Sequence, residues 1–422
     1  MSTGAKGTEH MAGKTMAGKN MAEKNMAEKQ CAISGIGQSD VGRRLGRDPL
    51  ELTLDACSAA IADSGLTPAD IDGLSTYPGA MAVPRGFTGA SAYEVIDAMR
   101  LEVDWYGSGV ETSGQLGSVM NACMAVAAGM ANHVLCFRSV WEGSAQGSGG
   151  RSSIGPGGGR GGTIYAGSFE QWSLPFGSAA PPVWVALFAQ AHMERYGVTT
   201  EQLAQIALNG RRNAARNPKA IYRDPMSLED YLNSRMISTP LRLYDCDVPC
   251  DGATAVIVSR REVAEDLAQP PVYIEAMGAA LHDRTNWDQL KDLTRTVGAA
   301  AADQMWRRTS LTPADVDVAE IYDGFSYLTM LWLEALQLCG FGESGSFVEG
   351  GTRIALDGTL PLNTSGGQLS AGRLHGYGFL HEACVQLRGE GGDRQVARRP
   401  EVAVVAAGGG NTCGCLLVTT VA

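Results

Sequence analysis

The chain has 422 residues, of which 44% are hydrophobic and 19% are charged, enough for more than one globular domain with a large core. Its net charge of −11 argues against a nucleic-acid binder and against binding to an anionic membrane surface, because both require a basic face. No apolar run reaches the roughly 18 residues of a transmembrane helix, and the N-terminus has no apolar signal-peptide core.

Ten cysteines and six histidines are scattered along the chain without any CxxC pair. This is not the dense framework of a small disulfide-bonded secreted domain, so we expect reduced thiols and a cytoplasmic protein. The scarcity of closely spaced ligands predicts that the chain builds no zinc site of its own. We therefore expect neither a metal nor another cofactor bound by this chain.

The first 29 residues form a low-complexity tail. A five-residue unit repeats there, from Met11-Ala-Gly-Lys through Met16-Ala-Gly-Lys and Met21-Ala-Glu-Lys to Met26-Ala-Glu-Lys. The repeats carry no apolar face that a core could bury, so we predict a disordered segment over 1–29 and a fold that begins at residue 30.

The folded part opens with a strand and a helix. Residues 30–37 (QCAISGIG) have the composition of a strand, and apolar residues spaced for one helical face begin after Pro49. Gly65 is the expected left-handed end of this helix. Thr67 and Pro68 then supply an N-cap and a first helical position for a short turn.

Features of the first half return in the second half in the same order. The recurring pairs are Ile33–Gly37 with Ile274–Gly278, Leu66–Asp70 with Leu311–Asp315, Thr112–Leu116 with Thr364–Leu369, and the apolar strands 133–137 with 402–407. An Ala- and Cys-rich helical stretch precedes each of the last two strands. One such match can arise by chance, but four in one order indicate an internal duplication with a period of about 245 residues.

Strands and helices alternate within each half, which favours mostly parallel sheets covered by helices, that is, an α/β protein. We divide the chain into an N-terminal half at 30–270 and a C-terminal half at 271–422. The N-terminal half includes an insert at about 143–240, which opens with a Gly-rich loop over 143–167. This loop lacks the spacing and the lysine of a nucleotide-binding loop, so we interpret it as a flexible surface loop or lid.

Four segments carry a family resemblance. They are Arg242-Leu-Tyr-Asp-Cys-Asp-Val-Pro-Cys-Asp-Gly-Ala253, Glu320-Ile-Tyr-Asp-Gly-Phe-Ser326, Asn363-Thr-Ser-Gly-Gly367 and Gly408-Gly-Gly410. With them, the chain from residue 30 to the end resembles the thiolase superfamily, in particular its sterol-carrier-protein-x branch. The resemblance implies two similar βαβαβαββ halves in a layered α-β-α-β-α arrangement, an inserted loop domain and a homodimer.

All four catalytic positions of that family are altered in this chain. The position of the nucleophilic cysteine is Gly114, in Thr112-Ser-Gly-Gln-Leu-Gly-Ser118, and the position of the second cysteine is Ala406. Tyr322 replaces the first catalytic histidine, and Arg373 replaces the second. A thiolase needs a thiolate to carry the acyl group, so we do not expect acyl transfer through cysteine.

The chemistry that remains is aldol cleavage of a 3-hydroxyacyl-CoA. This reaction needs a base for the hydroxyl proton, an acid for the enolate and donors that stabilise the thioester enolate, but no covalent intermediate. His375 and Tyr377 lie in the segment of the second thiolase histidine, while Tyr322 and Tyr327 flank the segment of the first. A tyrosine can act as acid or base if a neighbour such as Arg373 lowers its pKa.

Each candidate also has a structural interpretation. The tyrosines can be core aromatics, and the histidine can be a hydrogen-bonded structural residue. The aspartate can fix a loop, and the arginine can contact solvent or a CoA phosphate. Besides the four catalytic candidates, we expect substrate or CoA contacts at Asp323, Arg373, Gly114, Gly367 and Gly409.

The sequence is also similar to the lipid-transfer-protein-type retro-aldolases of actinobacterial sterol side-chain degradation, which are thiolase-like proteins without the cysteine. That family implicates two tyrosines in catalysis, with a separation that fits Tyr327 and Tyr377. Its substrate is a 17-hydroxysteroid with a three-carbon CoA-thioester side chain, cleaved to a 17-ketosteroid and propionyl-CoA. These enzymes work with an OB-fold and zinc-ribbon partner, fused to or bound with an enoyl-CoA hydratase, so any zinc is expected in the partner.

Two other functions stay open at this point. The chain can be a catalytically silent acyl-CoA-binding scaffold that supports a partner enzyme. It can also be a carbon–carbon lyase that acts on a non-steroid acyl-CoA. The steroid assignment depends on family likeness alone.

Overall fold

The computed structural model describes residues 26–79, 86–147, 171–178, 180–283, 290–409 and 412–421. The strands within these residues are β1 (Cys31–Gln38), β2 (Gly73–Thr76), β3 (Trp105–Ser108), β4 (His133–Trp141), β5 (Met236–Ser238), β6 (Leu241–Arg242), β7 (Asp251–Arg260), β8 (Val272–Gly278), β9 (Val318–Ile321), β10 (Val402–Gly408) and β11 (Cys413–Thr419). The helices are α1 (Pro49–Ser64), α2 (Ala92–Met99), α3 (Gly117–Ala127), α4 (Glu142–Ala145), α5 (Pro181–Tyr196), α6 (Thr200–Ala214), α7 (Leu228–Leu232), α8 (Arg261–Ala264), α9 (Gly298–Trp306), α10 (Ser326–Ala335), α11 (Ser344–Val348) and α12 (Gly376–Arg388).

Nine of these strands form one sheet in the order β3-β2-β4-β7-β1-β8-β11-β10-β9. The two halves of the chain meet at an antiparallel seam, where Ala32 pairs with Tyr273 and Ile33 pairs with Val272. Outward from this seam, β1-β7-β4-β2 in the first half matches β8-β11-β10-β9 in the second. The predicted duplication is therefore confirmed in the strand order.

The two Leu-Thr-Pro-Ala-Asp segments confirm the duplication at the level of single hydrogen bonds. Each forms a 3₁₀ turn, at Pro68–Asp70 and Pro313–Asp315. In both turns the aspartate accepts a hydrogen bond from the N-cap threonine backbone, at 2.7 Å in the first half and 2.8 Å in the second. In each turn the aspartate side chain thus satisfies the N–H group of the N-cap threonine.

The core is divided by the alternation of side chains along the strands. In β7, Ala255 and Ile257 pack with α1 and α2 on the outside, whereas Val256 and Val258 face a central cluster that contains α3 and α12. The second half of the sheet packs against α3 and α12 from the other side and against α9 and α10 on its outer face. The layers are thus α-β-α-β-α, as predicted.

Among the strands that the structure describes, the second half has none in the sheet that corresponds to β3 of the first half. In the first half β3 pairs with the outer edge of β2, whereas the outer edge of β9 has a single parallel bridge, between Ala319 and Leu362, among the described residues. The backbone around Leu362 continues this contact, since Ala319 N donates to Pro361 O and Asn363 N donates to Ala319 O. The loop covers the edge of β9, which protects it from pairing with another chain.

The insert lies between β4 and β7 and contributes α5 and α6 to the outer face of the second half. Val185 and Phe188 of α5 and Ile206 of α6 belong to the same buried cluster as Leu331 of α10. Most of the predicted Gly-rich loop, residues 148–167, lies outside the described residues. No helix among the residues that the structure describes is long and apolar enough to cross a membrane.

The packed part of the chain includes residues that the repeat pattern assigned to the tail. Glu28–Gln30 forms a 3₁₀ turn against β8, and the Glu28 side chain is fully buried. Its carboxylate pairs with the Arg308 guanidinium in the second half, with Nη2 at 2.8 Å from Oε2. The fold therefore includes residues 26–29; residues 1–25 of the predicted disordered segment lie outside the described residues.

We predict that Glu28→Ala destabilises the protein. The substitution removes the buried end of a two-point ion pair that links the start of the chain to the second half. Because the Arg308 side chain is 29% exposed and can be rehydrated, we expect a loss of about 1–3 kcal/mol in the free energy of unfolding. Urea denaturation measures it. Glu51→Ala, which removes an exposed ion-pair partner of Arg47, is the control and should leave the midpoint nearly unchanged.

Candidate active site

The catalytic segments of the family resemblance converge where α3 and α12 begin. A Cβ built on Gly376 would lie 2.4 Å from the Ala407 Cβ and 3.2 Å from the Gln115 Cβ. These three residues belong to α12, to the end of β10 and to the turn before α3. The N-terminal ends of two central helices and the C-terminal end of one strand thus meet at Gly376, where a side chain would collide with its neighbours.

Gly114, at the position of the thiolase nucleophile, has no room for a relaxed side chain. Its φ is +62°, and an added Cβ would lie 3.1 Å from the Thr412 carbonyl oxygen and 3.4 Å from that of Ala407. A residue with a Cβ pays a steric cost in this left-handed conformation. Gly114 therefore lets the backbone at Ala407 and Thr412 pass close by, and it supplies no nucleophile.

His375 lies between two arginines and is buried. Its Nδ1 accepts hydrogen bonds from Nε and Nη2 of Arg138, at 3.0 and 2.7 Å. On the other side, Nε of Arg373 lies 2.9 Å from the His375 Nε2. The Phe87 ring packs on the imidazole at a centroid distance of 5.0 Å and lies against both guanidinium groups. A guanidinium can only donate hydrogen bonds, and a neutral imidazole accepts at one nitrogen only. His375 therefore accepts from Arg138 or from Arg373 but not from both, and the two contacts at Nδ1 favour Arg138.

Two carboxylates balance these charges. Arg373 pairs with Asp247 at 3.0 Å and with Glu142 at 3.2 Å, and both carboxylates are almost fully buried. Burial lowers the pKa of Arg138 to about 10. For Arg373, burial also disfavours the charge, but Asp247 and Glu142 outweigh it and raise the pKa. The site therefore holds a guanidinium charge in a place from which most solvent is excluded.

The loop before α12 is held in an unusual backbone conformation. His375 has a φ of +55°, rare for a residue with a side chain, and its N–H donates to Gln368 Oε1 at 3.1 Å. Gln368 N in turn donates to the Asp323 carboxylate at 2.8 Å. An added Cβ on Gly367 would lie 1.9 Å from Asp323 Oδ2. Asp323 and Gly367 thus fix the loop that carries Arg373 and His375.

Tyr322, at the position of the first thiolase histidine, faces this charged cluster. The half-buried ring packs edge to face on Phe379 at 6.4 Å and borders both the central cluster and the outer cluster of the second half. Burial raises the pKa of the Tyr322 phenol, while the charge of Arg373 acts in the opposite direction. At neutral pH the group is therefore a protonated phenol beside a cation, which suits a hydrogen-bond donor or general acid.

Tyr377 lies in the first turn of α12, inside the central cluster. Its hydroxyl is 2.7 Å from Ser118 Oγ at the start of α3, and Ser118 Oγ itself lies 2.9 Å from the Gln115 carbonyl oxygen. Either hydroxyl can donate in this contact. Burial raises the pKa of Tyr377 well above its usual value. Tyr377 is therefore a buried side chain two residues after His375, in the helix end that meets α3 and β10.

Tyr327 is the one proposed tyrosine whose contacts lie elsewhere. It is buried in the first turn of α10, in the outer cluster, with its ring 5.4 Å from that of His192. Its hydroxyl has no hydrogen-bond partner among the residues that the structure describes. Tyr322 packs against the cluster of Tyr327 as well as that of Tyr377.

Gly409 packs against α10 rather than against the arginine cluster. An added Cβ would lie 2.6 Å from Cδ1 of Leu328. A small cavity of about 150 Å³ adjoins the loop that carries His375, with Gln368, Gly367 and Lys219 among its lining residues. Among the described residues, no group of three or more His, Cys, Asp and Glu side chains is arranged to hold a metal ion.

No cysteine stands at either thiolase position, but the thiol of Cys250 lies beside the arginine loop. Its Sγ would be 3.3 Å from a Cβ placed on Gly372. Burial raises the pKa of Cys250 well above its usual value, and Glu142 adds to the shift. The thiol is therefore protonated at neutral pH, which makes it a poor nucleophile.

Sequence reasoning missed several residues of this site. They are Arg138, Glu142, Asp247, Tyr77 and Phe87. Asp247 lies inside a quoted family motif, and Arg138 is the one charged residue in the otherwise apolar end of β4. A charge in a buried strand needs a partner, and that signal could have placed Arg138 in the site.

Comparison with known protein families and proteins finds thiolase-like relatives that are named as aldolases or lyases. Residues 279–417 match the family described as thiolase C-terminal domain-like. A "steroid side-chain-cleaving aldolase" of Thermomonospora curvata is 36% identical over 372 residues, which cover 85% of this chain and 90% of the relative. A "17-hydroxy-3-oxo-4-pregnene-20-carboxyl-CoA lyase" of Mycobacterium tuberculosis is 35% identical over 405 residues, which cover 92% of this chain and 98% of the relative.

Solved structures give the same result for the fold. A structure described as "Ltp2-ChsH2(DUF35) aldolase" superposes with a TM-score of 0.81 at 33% identity and covers 93% of this chain and 98% of that chain. Human mitochondrial 3-ketoacyl-CoA thiolase superposes with a TM-score of 0.64 at 15% identity, which shows a shared fold only.

We predict that Asp323 makes stability depend on pH. Burial raises the pKa of this carboxyl to about 7, whereas an unfolded aspartate titrates near 4. Between about pH 4 and pH 7 the folded protein holds a proton that the unfolded chain has released, so stability falls as the pH rises through this window. Asp323→Asn keeps an acceptor for the Gln368 N–H and removes the titration. The free energy of unfolding of the wild type, taken relative to that of the variant, should fall by roughly 2–4 kcal/mol from pH 4 to pH 7.

Urea denaturation of both proteins at pH 4.5, 6 and 7.5 measures this difference. The exposed Asp97→Asn variant is the surface control. A constant difference between wild type and Asp323→Asn across this range would contradict the prediction.

Proposed function

Because this chain belongs to the thiolase-like family of the steroid side-chain-cleaving aldolases, we propose that it is a retro-aldol lyase that cleaves a 17-hydroxysteroid with a three-carbon CoA-thioester side chain. The products are a 17-ketosteroid and propionyl-CoA. One observation supports it above the others: where a thiolase has its thiols and histidines, this chain has a buried arginine pair, an imidazole and phenols.

The reaction needs proton transfers and charge stabilisation, not a nucleophile. A base takes the proton of the tertiary hydroxyl, and the Cα–Cβ bond breaks as the carbonyl forms. The bonding electrons move into the thioester enolate, and an acid returns one proton to the α-carbon. Substrate and products therefore have the same atoms, and no metal or other cofactor is part of the proposal.

Charge on the enolate oxygen develops late in this sequence and needs preorganised donors. Arg373 and Arg138 carry positive charge in a buried site, and Tyr322 adds a protonated phenol. His375 and the two carboxylates hold the guanidinium groups in place, so little reorganisation is required when the charge appears. We assign Tyr322 and Tyr377 to the acid and donor side of the reaction, with Asp323, Gly367, Gly114 and Gly409 shaping the site.

We propose a complex with an OB-fold and zinc-ribbon protein. The structure described as "Ltp2-ChsH2(DUF35) aldolase" names a ChsH2(DUF35) component beside the aldolase, in a relative that this chain covers over 98% of its length, and this supports a partner complex. The OB-fold and zinc-ribbon identity of the partner follows from the family resemblance. Any zinc would then belong to the partner, which can be fused to or bound with an enoyl-CoA hydratase. The ten free cysteines and the CoA-bound substrate support a cytoplasmic location.

We also propose a homodimer formed through the edge of β3. This strand is the first of the nine-stranded sheet, and it leaves Tyr106 53% exposed, with its ring 5.9 Å from that of the 66% exposed Tyr93. The opposite edge is covered by the Leu362 loop. An exposed edge strand with aromatic side chains is a template for pairing with a second copy.

We predict that the wild-type protein with its OB-fold partner releases propionyl-CoA from a 17-hydroxysteroid-CoA. We further expect Tyr322→Phe and Tyr377→Phe each to lower turnover by on the order of 10²–10⁴, the loss typical of a general acid or base. Liquid chromatography with mass detection of both products measures it. Tyr273→Phe, a buried tyrosine bonded to Glu265 at 3.1 Å on β8, is the matched control.

Release of no propionyl-CoA by the wild-type complex would contradict the proposed function and favour a silent scaffold. Cleavage of a non-steroid hydroxyacyl-CoA at a higher kcat/KM would favour a lyase of different specificity. Full turnover in both tyrosine variants would remove the phenols from the mechanism.

We predict that Tyr106→Asp converts the dimer to a monomer, because a charge on an edge strand opposes pairing with another chain. Analytical ultracentrifugation of the purified protein without partner measures the mass. Leu187→Lys, at a residue that is 58% exposed on α5, is the control for adding a charge to an exposed apolar site. A monomeric wild type, or a dimer in the Tyr106→Asp variant, would exclude this interface.

A further inference from the structure

Two buried glutamates lie where β9, α12 and the loop over residues 363–367 meet. Glu320 is the third residue of β9, and Glu382 lies in the second turn of α12. Thr364, in the loop, lies between these two side chains, and all three are at most 2% exposed. The mechanism above uses none of them. We call Glu320 and Glu382 the carboxyl pair.

A single hydroxyl contacts both members of the carboxyl pair. Thr364 Oγ1 lies 2.6 Å from Glu320 Oε1 and 2.9 Å from Glu382 Oε1. Each of these contacts between two oxygens needs a proton, and a hydroxyl has only one. A carboxyl must supply the second proton, so one member of the pair is a neutral acid.

Arg394 identifies Glu382 as the ionised member. The guanidinium Nε lies 2.9 Å from Glu382 Oε1, and its Nη2 lies 3.1 Å from Oε2. The side-chain amide of Gln386 also donates to Oε1, at 3.0 Å. Guanidinium and amide N–H groups only donate, so both oxygens of Glu382 are acceptors. The second proton therefore lies on Glu320.

The surroundings of Glu320 favour the same assignment. Its Oε2 has no hydrogen-bond partner among the residues that the structure describes. A buried carboxylate oxygen without a partner is an uncompensated charge, whereas the carbonyl oxygen of a neutral acid costs much less to leave unpaired. Burial raises the pKa of Glu320 well above its usual value, and the carboxyls of Glu382 and Asp323 add to the shift, while the hydrogen bonds from Thr364 oppose it.

Thr364 connects three segments that carry the arginine site. β9 leads directly into Tyr322, the loop leads to His375, and α12 carries Tyr377 in its first turn. The Thr364 N–H donates to Glu320 Oε1 at 2.9 Å, in addition to the two contacts of the hydroxyl. These bonds join the loop to β9 on one side and to α12 on the other, so they hold the three segments in place relative to each other.

We propose that Glu320 carries a proton at neutral pH and, as a neutral acid, positions the site through Thr364; this inference rests on the proposed function. The hydrogen bonds then run in one direction, from the Glu320 O–H to Thr364 Oγ1 and from the Thr364 O–H to Glu382. Arg394 balances the charge at the end of this chain of bonds. Loss of the proton would place a second negative charge beside Glu382 and would break the first bond. Glu320 acts through Thr364, so it is a positioning residue and not a catalytic one.

Infrared spectroscopy of the purified protein tests the proton without any substrate. A neutral carboxylic acid has a C=O stretch that is separate from the bands of ionised carboxylates. The difference spectrum between the wild type and Glu320→Gln at pH 7.5 should therefore contain an acid band. Absence of this band would overturn the inference, whether or not the wild type cleaves any substrate.

Glu334→Gln is the matched spectroscopic control. Glu334 is also a buried glutamate, but the effect of burial is outweighed there by hydrogen bonds from His192 and Ser344, which lower the pKa of Glu334. The carboxyl is therefore ionised at pH 7.5, and the difference spectrum between the wild type and Glu334→Gln should contain no acid band.

Turnover of the full-length protein with its OB-fold partner tests the positioning. Glu320→Gln keeps the shape and the neutral charge, so kcat should stay within about fivefold of the wild type, the effect of losing one neutral hydrogen bond. Glu320→Ala and Thr364→Val remove the link between the segments, and kcat should fall by on the order of 10² in each, as expected when reacting groups are misplaced. The KM for the steroid-CoA should change less than kcat.

Two kinetic results would contradict the inference. Glu320→Gln as slow as Glu320→Ala would mean that the site needs the charge of a carboxylate and not a neutral acid. Unchanged kcat in Thr364→Val would mean that the link positions nothing. Where Glu320→Ala does not fold, Glu320→Met replaces it, because methionine fills the volume without any hydrogen bond. A wild type that releases no propionyl-CoA would contradict the proposed function instead, and the infrared band would still decide whether Glu320 holds the proton.

Discussion

Two buried guanidinium groups that share one imidazole constrain the rest of the site. Arg138 belongs to β4 in the first half, and Arg373 belongs to the loop before α12 in the second. Each charge is costly to bury unless it is paired, and the pairing groups are His375, Asp247 and Glu142. These residues come from three separate parts of the chain, so the charge balance fixes how the two halves and the ends of the insert meet.

The backbone of the loop follows from this constraint. His375 adopts a φ of +55° because its ring must reach Arg138 while its N–H reaches Gln368. Strained conformations of this kind persist only where the surroundings over-determine them, and they concentrate at functional sites. Asn363 supports the loop from below through two hydrogen bonds to Ile321 of β9, at 2.8 and 2.9 Å. Protein groups therefore already hold the donors in position, and such preorganisation is the condition for electrostatic stabilisation of a transition state.

Local signals in the sequence predicted the scaffold well and the site only in part. Pro49, Gly65 and the paired Leu-Thr-Pro-Ala-Asp turns have short-range causes, and the structure confirms them. The Ala- and Cys-rich stretch predicts α12 but not its first residue, since no standard capping residue marks the start and His375 occupies the N-cap. The Arg138–His375 contact spans 237 positions, and no pattern in a single sequence encodes such a pair. The family resemblance identified Tyr322 and Arg373 at the positions of the two thiolase histidines. It did not identify the residues that contact them, such as Asp247 and Glu142.

Burial explains why phenols can serve where thiols were lost. Removal from water raises the pKa of cysteines and tyrosines alike, as at Cys250 and Tyr377. A cysteine held as a thiol loses its nucleophilicity, and acyl transfer stops. A tyrosine held as a neutral phenol can still act as a hydrogen-bond donor or general acid, because both roles require the protonated form. Enolate chemistry therefore tolerates a deeply buried site that covalent catalysis does not, provided that a cation such as Arg373 lies close enough to stabilise the anion. Such a site favours breaking a carbon–carbon bond over carrying an acyl group.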